Sequence, residues 1–102
     1  MTAVKLINLL YEYDYDDVDI ICVPDNVADN IEETVQHYQS WMYQNIDKHS
    51  FWRLSASGYK VLSLGTDEFL WWLNEQCIKS GEKARLISSH VKFRDELPFA
   101  DF

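Results

Sequence analysis

Carboxylates dominate the residues that could do chemistry. Glu12, Asp14, Asp16, Asp17 and Asp19 fall close together, and Asp25, Asp29, Glu32 and Glu33 follow. Acid–base catalysis by two carboxylates needs unlike surroundings, one member being desolvated so that it holds its proton. On the outside of a hairpin all members are solvated alike, and none is driven to that work. Calcium is the second chemistry such residues suggest. A calcium loop requires Asp-x-Asp-x-Asp-Gly and a distant Glu. Here the Gly is missing, no Glu stands at the right offset, and strand alternation points neighbours apart. No metal and no cofactor are expected.

Thiol chemistry needs a base within hydrogen-bond reach of the sulfur and an oxyanion site. Cys22 falls in an apolar strand and Cys77 on the inner face of a helix, where both read as small core hydrophobes. His37 lies on the outer face of a helix, His49 in a loop and His90 on the last strand. A phosphate-binding loop is also missing, since Gly65-Thr66 is the closest approach to one. The chain is therefore read as no enzyme. Cys22 and Cys77 are far apart, a spacing open to a disulfide or to two buried thiols. The second, in a cytoplasmic protein, is the expectation.

The elements that must position these residues follow from periodicity. Ile7, Leu9, Tyr11, Tyr13 and Tyr15 alternate with Asn8, Glu12, Asp14 and Asp16, Leu10 being the exception on the polar face. Period two predicts a half-buried strand over 7–15. Asp16-Asp17 is the expected turn, and Val18–Val23 a β-branched second strand ended by Pro24. Asp25 or Asp29 can cap the next helix, which is expected to run to about Ile46. Its core stripe is Val27, Ala28, Ile31, Val35, Tyr38, Met42 and Ile46. A hairpin over 51–64 turns at Gly58.

Thr66 is read as the cap of a second helix whose inner face is Phe69, Leu70, Leu73 and Cys77, with Lys79 in its last turn and Gly81 closing it. Lys83–Phe93 reads as the last strand. The order is β-β-α-β-β-α-β. It predicts an α+β fold with one mixed, mainly antiparallel sheet of about five strands and two helices on one face. Residues 1–93 form that domain, and 94–102 a tail whose Leu97, Phe99 and Phe102 could dock.

The chain has 102 residues, 47% of them apolar and 15% aromatic, enough for one modest core. No apolar run is long enough to span a membrane. Residues 11–33 hold nine carboxylates and no Lys or Arg, whereas the rest holds eight acids and nine bases. The net charge of −8 thus sits in under a quarter of the chain. That charge disfavours direct binding to nucleic acid or anionic membranes and favours a basic protein partner. A charged hairpin edge also prevents edge-to-edge aggregation. Solubility alone, however, is usually met with mixed signs.

The expected partner-binding set is Glu12, Asp14, Tyr15, Asp16, Asp17, Asp19, Asp25, Asp29 and Trp71. Tyr15 is placed at the surface, Tyr11 and Tyr13 in the sheet core. Trp71 and Ile78 project opposite Phe69 and Leu73, so a homodimer through them is the alternative for that face. A small-molecule pocket between sheet and helices is a further alternative.

The stretches Tyr11–Asp19 and Val23–Asp25, with Gly65–Asn74, resemble small acidic proteins of phages and mobile bacterial elements. By size and charge the chain is also similar to anti-restriction and anti-CRISPR inhibitors and to toxin-immunity proteins. The resemblance implies an acidic face that occupies the basic channel or active site of a nuclease, effector or toxin.

Overall fold

The computed structural model describes residues 4–78 and 81–102. Lys79, expected in the last turn of the second helix, lies outside them. β1 (Val4–Leu10) and β2 (Val18–Pro24) pair antiparallel, Val4 opposite Pro24 and Leu9 opposite Asp19. Two short helices follow, α1 (Asp25–Asp29) and α2 (Ile31–Gln44). A small hairpin, β3 (Trp52–Leu54) and β4 (Lys60–Leu62), leads to α3 (Thr66–Trp72), which continues as a π-turn over Leu73–Cys77. β5 (Arg85–Val91) and β6 (Phe99–Asp101) complete the chain.

The fold is α+β, with a mixed four-stranded sheet in the order β5-β2-β1-β6. β6 runs parallel to β1, and β5 antiparallel to β2. Two features differ from the single sheet expected. The β3–β4 hairpin forms a sheet of its own, and its place is taken by residues 99–101 of the expected tail. Leu97 and Phe102 both dock, each on a different face of the sheet.

Both faces of the sheet are covered, which explains why β2 reads as a continuous apolar run. Ile7, Leu9, Ile21 and Val23 face the helices, where they meet Val35, Tyr38, Met42, Phe69 and Leu73. Tyr38 stands at the centre of this layer, its ring centroid 5.0 Å from Phe69, 5.6 Å from Trp72 and 5.9 Å from Phe102. Such ring pairs contribute about 0.5–1.5 kcal/mol each beyond their buried area. Leu10, Val18 and Ile20 face the other way, under Leu6, Val91, Phe93 and Leu97. Leu10 is therefore no misfit on a polar face but part of a second, smaller core.

Asn8 shares that second face and is fully buried. Its amide nitrogen donates to the carbonyls of Arg94 (3.0 Å), Leu97 (3.3 Å) and Pro98 (3.3 Å), and its oxygen accepts from the Arg94 amide at 3.1 Å. One side chain thereby ties the 94–98 turn onto β1 and delivers β6 to the sheet.

The single helix expected from Asp25 or Asp29 to Ile46 is broken at Asn30, whose φ of −126° and ψ of 34° leave the helical region. Neither Asp25 nor Asp29 caps. Pro24 precedes α1, and Asn30 precedes α2 without a side-chain cap bond. Likewise Gly65, not Thr66, is the cap of α3, and the Gly65 amide donates to the Glu68 carboxylate at 3.1 Å. Cys77, expected on the inner face of the second helix, is exposed, whereas Cys22 is buried.

β5 carries two register shifts against β2, between Val18 and Ile20 and between Ile20 and Ile21. His90 sits there with φ of 57°, a left-handed conformation unusual for a residue with a Cβ.

Replacing Asn8 with Ala strands the Arg94 amide and takes the side-chain donor from the Arg94 and Leu97 carbonyls, while the Pro98 carbonyl keeps the Asn8 backbone amide. We expect urea denaturation to report a loss of about 1–3 kcal/mol. A loss below about 0.5 kcal/mol would mean that apolar contacts alone hold the C-terminal segment.

Candidate functional site

β1 ends at Leu10, so the Tyr-Asp alternation that predicted a strand over 7–15 is instead a seven-residue connection, 11–17. Its physical cause lies at Glu12 and Tyr13, which take φ of 55° and 56°. Two consecutive left-handed residues turn the chain off the sheet. The loop is then fixed at each step. The Asp14 amide donates to the Tyr11 carbonyl at 3.1 Å, and the Tyr13 amide to the Asp101 carboxylate at 2.8 Å. The Asp16 amide donates to Asp14 Oδ1 at 3.1 Å, an Asx turn. The Tyr15 carbonyl accepts from the Phe93 amide at 2.9 Å.

The tyrosines divide accordingly. Tyr11 is half-buried, its ring 5.1 Å edge-on to Phe102 and its hydroxyl bonded to Thr66. Burial pushes the Tyr11 phenol up, and more strongly that of Tyr38, so both stay protonated. Tyr13, expected in the core, is 63% exposed. Tyr15 is 47% exposed, as placed from sequence, and rests edge-on against Phe93 at 5.1 Å.

The nine acids do not form one surface. Glu12, Asp14, Asp16 and Asp17 belong to the loop. Asp25 and Asp29 follow the opposite end of β2, about 20 Å away along a seven-residue strand, and Glu32 and Glu33 open α2, where Glu32 lines a depression together with Tyr13. Asp19 is half-buried and accepts the Thr66 hydroxyl at 2.6 Å, so it is structural. Asp29 pairs with Lys5 at 2.9 Å and Asp17 with His90 at 2.8 Å. Both pairs are partly exposed and screened by solvent. Among the described residues, Glu12, Asp14 and Asp16 of the loop form no ion pair.

Trp71 leaves the expected set. It is half-buried in a ring cluster with Trp41, His49 and Phe51, 5.1 Å from Phe51. Ile78 is 6% exposed, so of the apolar pair expected to join two copies only Trp71 keeps a partly exposed surface. His49 is structural: the Phe51 amide donates to its Nδ1 at 3.1 Å, which leaves Nε2 to donate to the Met42 carbonyl at 3.0 Å.

A cleft of about 420 Å³ lies between the start of α2 and the end of the π-turn. His37 and Cys77, unconnected by the sequence reading, both line it, and so does Trp72. The buried Trp72 indole N–H has no hydrogen-bond partner among the described residues. Among those residues no group of three or more His, Cys, Asp or Glu is placed to hold a metal ion, and no helix is long and apolar enough to cross a membrane.

The Asp17–His90 pair gives a signed expectation. The Asp17 carboxylate raises the His90 pKa above its ordinary value of 6.5. The pair therefore contributes fully below that value and is lost as pH rises through the raised one. The melting-temperature gap between the natural protein and Asp17→Asn should be open near pH 6 and closed near about pH 9. A gap independent of pH would mean the bond does not stabilise the loop.

No family model, no curated protein and no solved structure matches the chain.

Proposed function

We propose that the chain is a small acidic inhibitor that docks on the basic surface of a nucleic-acid-handling protein, such as a nuclease, effector or toxin. The contact surface is the 11–17 loop. One observation supports this reading above the rest. Tyr13 is 63% exposed on a backbone held in the left-handed region, between carboxylates that form no ion pair among the described residues. Each such residue costs about 1–3 kcal/mol and persists only where its surroundings fix it. Solubility requires no such conformation. An interface does, because a loop already fixed in shape loses little freedom on binding.

The chemistry of the loop suits a site that normally holds phosphates. Glu12, Asp14 and Asp16 would take the place of phosphate groups against Lys and Arg, and Tyr13 and Tyr15 would supply rigid apolar anchors. Asp25, Asp29, Glu32 and Glu33 form a second acidic region after β2, along α1 and the start of α2. Anti-defence and immunity proteins acting in the cytoplasm are the classes that fit, with no direct contact to nucleic acid or membrane.

A small-molecule reading has one observation of its own, the unpartnered Trp72 N–H beside the 420 Å³ cleft. A shift of the Trp72 indole resonance on adding a metabolite extract would favour it, and an unmoved resonance would remove it.

The docking reading is tested by capture from extracts of the producing cells. The natural protein should retain a basic nucleic-acid-handling protein at low salt and release it as salt screens the charges. The triple reversal Asp14→Lys, Asp16→Lys and Asp17→Lys should retain none of it while staying folded, its melting temperature lowered by no more than that of Asp17→Asn. Equal capture by the reversed protein would end the proposal.

A further inference from the structure

We infer that the outer edge of β6, with the groove between it and α2, takes an extended segment of the basic partner as an added β-strand. This rests on the docking reading above and names how part of that partner is held.

Three observations carry it. First, β6 is the edge of the sheet. The Asn8 amide donates to the Pro98 carbonyl, and the Phe102 amide to the Leu10 carbonyl, both at 2.9 Å. Parallel pairing uses alternate residues of a strand. The amides and carbonyls of Phe99 and Asp101 therefore point away from β1, free to pair with another chain.

Second, that edge faces a groove. One wall is the four consecutive residues 99–102, and the other is the α2 stripe Glu32, Val35, Gln36 and Gln39. The depression continues past Asp29 and Pro98 to Leu6 and Leu97 through shared lining residues.

Third, the charge is one-sided. The described lining of the continuous depression includes five carboxylates (Asp29, Glu32, Glu33, Glu96 and Asp101) and one cation, Lys5, which is already paired with Asp29. A basic strand is complementary to that lining, and an acidic one is not. The groove also joins what the sequence separates. Tyr13 of the acidic loop and Glu32 of the second acidic region line the same depression.

The pleat specifies the pattern of the occupant. Ala100 and Phe102 pack on the helical side of the sheet, whereas Phe99 meets Phe93 on the other. An added strand therefore turns alternate side chains toward α2 and toward Phe99. Lys or Arg suits the first set, opposite Glu32, and apolar residues suit the second, beside Phe99 and Tyr13.

The test uses the whole chain and a blocked hexapeptide alternating Arg and Val. Amide hydrogen exchange at Phe99 and Asp101 should slow when the peptide is added. Phe99→Pro, which removes one outward amide, should weaken binding about fivefold more than Phe99→Ala, the scale of one hydrogen bond. Glu32→Lys should weaken it by a similar factor. Binding that leaves both amides unprotected, equal binding of a Glu–Val peptide, or no binding at low salt each overturns the inference. So does protection of the same amides by self-association, seen as a dimer in sedimentation without peptide. These failures differ from failure of the docking reading, which is scored by capture with the loop-reversed protein.

Discussion

The molecule depends on a buried amide. Asn8 sits in the middle of β1 with no solvent contact, and its two polar ends satisfy backbone groups of the 94–98 turn. That tether holds the lid over the second core of Leu10 and Ile20, and it adds to the backbone ladder and the Phe102 ring in keeping β6 beside β1. The Asp101 carboxylate arrives with β6 and accepts the Tyr13 amide. The shape of the acidic loop is therefore set in part by Asp101, which is far from it in sequence and is brought to it by β6.

The loop carries strain and the core carries the means to hold it. Glu12 and Tyr13 occupy backbone angles that residues with a Cβ avoid. They are kept there by bonds to Tyr11, Asp101 and the Phe93 strand end. Beneath them Tyr11 joins Thr66, and Thr66 joins Asp19, so the root of the loop is pinned to the start of α3. The acid at Asp19 serves this junction. The loop carboxylates before it, Glu12, Asp14, Asp16 and Asp17, are left to solvent.

Local patterns in the sequence carried the fold class, the β1–β2 hairpin, both main helices and the core stripe of Val35, Tyr38 and Met42. They failed where a long-range contact overrode them. The alternation of Ile7 to Tyr15 fits a strand, but nothing local signals two left-handed residues in the middle of it. Asn8 reads as polar surface until the turn that buries it is known. Trp71 reads as exposed because its partial cover comes from His49 and Phe51, and Ile78 because its place in the main core depends on long-range packing. Of the candidate site, Glu12, Asp14, Tyr15 and Asp16 were legible as solvent-facing residues of a hairpin tip. Tyr13 was missed, since period two assigned it to the core with Tyr11.

The two sides of the sheet are unequal. β5 is long, but its bulges and the left-handed His90 distort its outer ladder. β6 is short and regular. Head-to-tail stacking of copies would require β5 of one molecule to meet β6 of the next, a contact that repeats without closing and yields fibres. The irregular side denies that repeat, so an acidic, tyrosine-rich chain can keep one side receptive without becoming the seed of an endless polymer.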